Sequence, residues 1–154
     1  MSYWLIALVV MLALAPLLQF LPSRRQRHQA QLREAAALAG LFVEYRDLPL
    51  PPQRRGRLPA AERQVIYYGR RLPPSSRRSP RRNAAWWREG GHWTGPRPSP
   101  APPGLVAELP AGALAIGCSE ASCGCYWREE GDLDDVAKIA ALLQRWAAEL
   151  AAAG

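Results

Sequence analysis

The sequence predicts an α+β protein, with an N-terminal transmembrane helix followed by a small mixed domain of short antiparallel strands covered by a C-terminal amphipathic helix. Residues 3–21 contain no charged side chain. Within residues 41–154, several short runs rich in β-branched and aromatic residues are separated by Pro and Gly clusters, as strands are. Residues 133–150 carry apolar side chains at helical spacing.

The uncharged run at residues 3–21, YWLIALVVMLALAPLLQFL, predicts a membrane span. As a helix it would be roughly 28 Å long, against a hydrocarbon core of about 30 Å. The segment Ala13-Leu14-Ala15 has the small-x-small form of a signal peptidase site, but no Lys or Arg precedes the run. We therefore expect an uncleaved anchor, with a cleaved signal peptide and a buried helix as the alternatives.

Three arginines that directly follow the run, Arg24, Arg25 and Arg27, predict its orientation. Positive charge stays on the cytoplasmic side of a membrane, so the N-terminus is expected outside and the C-terminal domain in the cytoplasm. Each of these arginines would contribute about 1 kcal/mol of binding to anionic lipid. An anionic membrane is therefore the first predicted partner, with these three residues as the lipid-binding site.

The charge of the chain is unevenly distributed. The net charge is +7, but residues 24–97 hold seventeen Arg against five acidic residues, whereas residues 98–154 are acidic overall. Nearly all the basic residues are Arg, and Ala, Gly and Pro are also frequent, as a GC-rich genome favours. The Arg excess alone therefore does not indicate a nucleic-acid partner, and none is expected.

The segment after the run predicts a basic juxtamembrane helix over residues 24–39. It is rich in strong helix formers, Ser23 can cap its N-terminus and Gly40 can end it. Residues 41–46 and 64–68 have strand composition, and the segment between them contains four prolines.

Two loops and a hairpin are expected next. Residues 70–82 combine Arg with Pro, and residues 95–104 contain five Pro, so both are predicted to be disordered loops. Residues 84–93 place Gly90 and Gly91 between aromatic flanks, which predicts a β-hairpin.

The hairpin and the Arg-rich loop before it are the predicted contact with a partner protein. A solvated Arg loop and tryptophans that only cover a small sheet are the alternatives. The predicted partner-binding residues are Arg77, Arg78, Arg81, Arg82, Trp86, Trp87 and Trp93.

The C-terminal part predicts a strand at residues 123–129 and a helix over residues 133–150. Asp132 can cap this helix, and Asp135 favours the positive end of its dipole. The acidic run from Glu129 to Asp135 is explained by capping and solubility. The predicted buried stripe, which leaves Leu142 outside, consists of Leu133, Val136, Ile139, Ala140, Leu143, Trp146 and Leu150.

The three cysteines, Cys118, Cys123 and Cys125, have the spacing C-x4-C-x-C. A structural zinc site needs four ligands, and only His92 could supply the fourth. We expect no metal and no cofactor, while a metal site at these four residues and a redox-active thiol pair are the alternatives. The sequence contains no G-x-S-x-G, H-E-x-x-H or P-loop motif, and it identifies neither a catalytic residue nor a small-molecule substrate.

The first forty residues resemble small single-span inner-membrane proteins of Gram-negative bacteria. The residues that carry the resemblance are the juncture Arg25-Gln26-Arg27 and the helix residues Leu32, Arg33 and Glu34. Over this stretch the chain is similar to the family of YajC, the accessory subunit of the preprotein translocase. The resemblance implies a location in the bacterial inner membrane and an accessory role, and it implies no site.

Together these observations predict a non-catalytic, single-pass inner-membrane accessory or interaction protein with a membrane-protein partner. One alternative is a membrane-anchored protein that responds to metal or redox state through its cysteines. The other is a membrane-anchored nucleic-acid-binding protein.

Overall fold

The computed structural model describes residues 2–19, 23–74, 83–96 and 101–153. The chain forms two compact units, Met1–Ala30 and Gln31–Gly154. The class is α+β, with a six-stranded antiparallel sheet and a long C-terminal helix in the second unit.

The first helix is α1 (Ser2–Gln19). The membrane span predicted at residues 3–21 is wrong. No helix in the described part of the chain is long and apolar enough to cross a membrane. The described side chains of α1 run from Tyr3 to Leu14 and are exposed. The predicted location in the bacterial inner membrane, with an external N-terminus and a cytoplasmic domain, depended on this span and is wrong as well.

The second helix, α2 (Arg24–Leu38), begins and ends at the predicted signals. The Gln26 N–H donates to the Ser23 hydroxyl at 3.2 Å, and the Gln26 side chain accepts from the Ser23 N–H at 2.8 Å. This reciprocal pair satisfies two backbone donors of the first turn. At the other end, Gly40 takes a φ of +77°, and the Leu41 N–H donates to the Ala36 carbonyl at 2.9 Å.

The sheet contains six strands within the described residues. They are β1 (Phe42–Asp47), β2 (Gln64–Arg71), β3 (Ala84–Glu89), β4 (His92–Thr94), β5 (Ala113–Cys118) and β6 (Ser122–Trp127). Their order is β1-β2-β6-β5-β3-β4, and every neighbouring pair is antiparallel. Two one-turn helices, α3 (Pro52–Arg55) and α4 (Ala60–Arg63), connect β1 to β2.

Regular structure extends into both segments that were predicted to be disordered loops, residues 70–82 and 95–104. Strand β2 continues through Arg70 and Arg71, which the sequence placed in the loop at residues 70–82, because both residues pair with β6. A single turn of 3-10 helix begins at Gly104, the last residue of the other predicted loop. Residues 75–82 and 97–100 lie outside the described part of the chain.

The C-terminal helix and the second half of α2 pack on one face of the sheet, and we call the buried cluster there the helix-side core. The long helix α5 (Leu133–Ala153) lies on β6 and β2, and Leu32 and Ala36 of α2 are fully buried in the same cluster. The strand residues of the helix-side core include Ile66, Tyr68, Trp86, Ile116, Cys123, Cys125 and Trp127.

Helix α5 begins at the predicted cap, but its buried stripe differs from the predicted one. The Asp135 N–H donates to Oδ1 of Asp132 at 3.1 Å, and Oδ2 of Asp135 accepts from the Asp132 N–H at 3.3 Å. Leu142, predicted to lie outside the stripe, is 2 % exposed because it shares the helix-side core with Leu32 of α2. Leu133, predicted to be buried, is 52 % exposed at the first position of the helix.

Glu129 lies just after β6 and is a buried ion-pair residue, whereas the sequence assigned it to capping and solubility. Its side chain is 1 % exposed and accepts from Nε and Nη2 of Arg33 at 2.8 and 2.7 Å. The Tyr68 hydroxyl donates to the same carboxylate at 3.0 Å. The hydrogen bond to Glu129 raises the pKa of Arg33, and burial raises the pKa of Tyr68. These contacts join α2 to the sheet.

Replacing Glu129 by Gln tests the contribution of this cluster. The substitution keeps the volume and the backbone φ of +56°, but it leaves Arg33 without its counter-charge. Removing one partner of a buried pair costs several kcal/mol, and the partial exposure of Arg33 reduces that cost, so we expect a loss of about 2 kcal/mol in unfolding free energy. Urea denaturation of the full chain measures it.

The exposed pair formed by Arg145 and Glu108 provides the matched control. Its two side chains are 58 % and 53 % exposed, so water replaces the lost contact, and Glu108→Gln is expected to cost less than about 1 kcal/mol. Equal losses for the two Glu→Gln variants would show that the Glu129 cluster does not stabilise the domain.

Candidate functional site

The face of the sheet opposite α5 carries a second buried cluster, which we call the aromatic-side core. Its members are Leu48, Tyr67, Trp87, Ala115 and Tyr126. Because side chains alternate along a strand, the neighbours of the helix-side residues point to this face. The two cores therefore share the same strands, and Trp86 and Trp87 of β3 belong to opposite ones.

A row of small residues crosses four strands on the aromatic side, and we call it the glycine row. Gly69 of β2 pairs with Gly124 of β6, which pairs with Gly117 of β5, which pairs with Ala85 of β3. The Tyr67 ring lies against part of this row. A Cβ at Gly124 would overlap that ring and would lie 2.5 Å from the Tyr68 carbonyl oxygen. The glycines thus let the aromatic ring lie on the backbone of the sheet.

A cleft of about 230 Å³ opens over the remaining part of the glycine row. Its floor consists of the small residues Ala85 and Gly117, which the register places on this face of the sheet. The other lining residues are the aromatic Tyr67 and Tyr126, the polar Arg46, Asn83 and Ser119, and Ala84, Cys118 and Pro96. Ligand sites combine apolar walls with a few polar groups in this way, so the cleft is the candidate functional site.

Arg46 supplies the positive charge of the cleft. Its guanidinium carbon lies 4.0 Å from the centroid of the Tyr67 ring and 5.6 Å from that of Phe42, within the range of a cation–π contact. Nε of Arg46 donates to the Glu44 carboxylate. A guanidinium has five N–H donors, so Arg46 can be fixed by Glu44 and still offer donors to a bound group.

The two tyrosines of the cleft stay protonated at neutral pH. Burial raises the pKa of Tyr67 well above its ordinary value, and the Ser122 hydroxyl and the Arg46 charge offset this only in part. Burial likewise raises the pKa of Tyr126. The phenols are therefore hydrogen-bonding groups and not bases.

The loop between β5 and β6 forms the hydroxyl-bearing side of the cleft. The Ser119 N–H donates to the Ser122 carbonyl at 2.7 Å, and the two hydroxyl oxygens are 3.3 Å apart. The Ser122 N–H donates to the Ser119 hydroxyl at 3.2 Å. This network holds Ser119, a lining residue, in a defined position.

The three predicted partner-binding residues that the structure describes, Trp86, Trp87 and Trp93, do not form one exposed surface. The hairpin is present, with Gly90 and Gly91 at φ values of +55° and +86°. However, Trp86 and Trp87 are 4 % and 5 % exposed in the two cores, and Trp93 is half-buried against the helix-side core. The predicted Arg77, Arg78, Arg81 and Arg82 lie outside the described residues.

The predicted lipid-binding arginines, Arg24, Arg25 and Arg27, are exposed in the first turns of α2. Their contact with anionic lipid stays a prediction.

The four residues of the alternative metal site, Cys118, Cys123, Cys125 and His92, do not come together in the structure. The three cysteines lie on β5 and β6, whereas His92 is exposed at the start of β4, the edge strand of the sheet. Within the described ranges, no group of three or more His, Cys, Asp or Glu side chains could hold a metal ion. Cys118 and Cys123 are, however, direct partners in the register of β5 and β6.

The cleft was not predicted from the sequence, although the glycines within the strands were a signal that could have indicated it. Gly inside a strand often marks a point where another group approaches the backbone. Gly69, Gly117 and Gly124 all lie within strands, but only the register shows that they form one row.

Comparisons with known proteins give no relative: no family model matches the chain, and neither does any curated protein or solved structure. The resemblance of the first forty residues to the YajC family stays a prediction.

Gly124→Ala tests the glycine row. The added methyl would collide with the Tyr67 ring and with backbone, neither of which can move easily, so we expect unfolding free energy to fall by about 1 to 3 kcal/mol. Gly104→Ala is the matched control, since a Cβ there meets no atom within 4 Å, and a change within about 0.5 kcal/mol is expected. Equal denaturation midpoints for the two variants would show that Tyr67 does not lie on the row.

Proposed function

We propose that this domain is a non-catalytic interaction module and that the cleft over the glycine row is its binding site. The observation that supports this most directly is the Arg46 guanidinium, which is stacked on Tyr67 at 4.0 Å in the wall of the cleft. An arginine fixed by an aromatic ring and a carboxylate loses little conformational freedom when it binds a further group.

The chemistry of the cleft favours binding over proton transfer. A general base must be able to lose its proton near neutral pH, and the raised pKa values of Tyr67 and Tyr126 oppose that. The same protonated phenols can donate hydrogen bonds, as can Arg46, Asn83 and Ser119.

The ligand we propose is a carboxylate side chain in an acidic segment of a partner protein. The polar lining offers mostly donors, and a carboxylate is an acceptor that an arginine can bind through two nitrogens. The segment of the sequence that contains Arg46 is also basic, since residues 24–97 hold seventeen Arg against five acidic residues. The small floor formed by Gly117 and Ala85 leaves room for such a side chain to enter.

Two cleft variants of the full chain test this function. Gly117→Val fills the floor, and Arg46→Gln removes the positive charge while Tyr67 and Tyr126 remain. The tagged wild type and each variant are purified from the cells that naturally contain the chain, and co-purifying proteins are quantified by mass spectrometry. We expect at least one protein with an acidic segment to be reduced by about tenfold or more in both variants, which corresponds to about 1.4 kcal/mol of binding.

Arg145→Gln is the matched control, because it removes an exposed arginine from α5 on the opposite face of the sheet. It should leave the co-purifying proteins unchanged, and thermal unfolding should show that the cleft variants are folded. The same set of proteins with the wild type and with both folded cleft variants, or no specific protein at all, would contradict the proposed function.

A further inference from the structure

Two of the three cysteines face each other across the β5–β6 hairpin. Cys118, the last residue of β5, is the register partner of Cys123, and Ser119 and Ser122 are the next pair toward the loop. The Ser119 N–H donates to the Ser122 carbonyl at 2.7 Å, which makes that pair hydrogen-bonded. Hydrogen-bonded and non-hydrogen-bonded pairs alternate, so Cys118 and Cys123 form a non-hydrogen-bonded pair.

That type of pair has the geometry of a disulfide. Its Cα atoms are about 4.5 Å apart and its side chains lie on the same face, whereas disulfides join Cα atoms about 4.4 to 6.8 Å apart. The shared face is observed here, since Cys123 belongs to the helix-side core and Cys118 packs against that core.

Cys125 is not placed to form a disulfide with either of the other two cysteines. It lies two residues beyond Cys123 on the same strand, so the two Cβ atoms are about 6.6 Å apart, too far for a sulfur–sulfur bond. It is diagonal to Cys118, which separates that pair by about 7 to 8 Å. Burial raises the pKa of Cys125 to about 12, so its thiol stays protonated at neutral pH.

We propose that Cys118 and Cys123 are a dithiol site that a hydroperoxide oxidises to an intramolecular disulfide. Because Cys118 is half-buried and Cys123 is fully buried, Cys118 attacks the hydroperoxide first, and Cys123 then attacks the oxidised Cys118.

The reaction has two steps. The Cys118 sulfur, having released its proton, attacks one peroxide oxygen; the oxygen–oxygen bond breaks, hydroxide leaves and takes up that proton as water, and a sulfenic acid remains on Cys118. The Cys123 sulfur then attacks the Cys118 sulfur, the sulfur–oxygen bond breaks, and water leaves with the Cys123 proton. In total, two thiols and one hydrogen peroxide give one disulfide and two waters.

The test uses the full chain, reduced and then treated with one equivalent of hydrogen peroxide. Unreacted thiols are labelled with N-ethylmaleimide under denaturing conditions and counted by mass spectrometry. We expect the count to fall from three to one, and dithiothreitol to restore three. Cleavage after Glu120, which lies between the two cysteines, should leave the two peptides joined until a reductant is added.

Single Cys→Ala variants separate this pairing from others. In the Cys125→Ala variant the number of labelled thiols should fall from two to none. The Cys118→Ala and Cys123→Ala variants should form no intramolecular disulfide. Three thiols remaining in the treated wild type, a sulfinic acid at Cys118 without a disulfide, or a disulfide that contains Cys125 would overturn the proposal. Where a variant fails to fold, the position of N-ethylmaleimide in the treated wild type decides the question: sequencing of the labelled peptide should place it on Cys125, and a label on Cys123 would show that Cys118 pairs with Cys125.

Discussion

The register of β6 between β2 and β5 is the constraint on which both faces of the domain depend. Side chains alternate along a strand, so this one register sends Cys123, Cys125 and Trp127 into the helix-side core. It sends Ser122, Gly124 and Tyr126 to the opposite face. A slip of one residue would exchange the two sets and place tyrosine and serine under α5.

The same register explains why the two faces differ in chemistry. On the helix side, Tyr68 of β2 lies against Trp127 with ring centroids 5.4 Å apart, and its hydroxyl donates to Glu129. Glu129 follows the end of β6 and also accepts from Arg33. On the aromatic side, the glycine row allows Tyr67 to lie on the backbone and leaves the floor of the cleft open. A compact polar cluster thus stabilises the helices on one face, while the other face retains a cleft.

Features set by local sequence were predictable. Ser23, Gly40 and Asp132 mark helix ends through contacts with residues only a few positions away in the sequence. The structure has the corresponding hydrogen bonds. The hairpin at Gly90 and Gly91 is local in the same sense.

Features set by long-range contacts were not predictable. Glu129 and Arg33 are 96 residues apart, and nothing near Glu129 in the sequence distinguishes it from the acidic residues after it. No strand was predicted over residues 113–118, so the register that pairs Cys118 with Cys123 and aligns three glycines could not be derived. The membrane span was predicted from apolar composition and length, and no described helix meets both requirements.

The most direct test of the register is a nuclear Overhauser measurement on the reduced, isotope-labelled chain. In a non-hydrogen-bonded antiparallel pair the two Hα atoms approach each other closely, so a strong Hα–Hα signal is predicted between Cys118 and Cys123 and between Ile116 and Cys125. Strong Hα–Hα signals from Cys123 to Gly117 or Ser119 instead would show a register shifted by one residue. The glycine row, the cleft and the dithiol pair would then be wrong together.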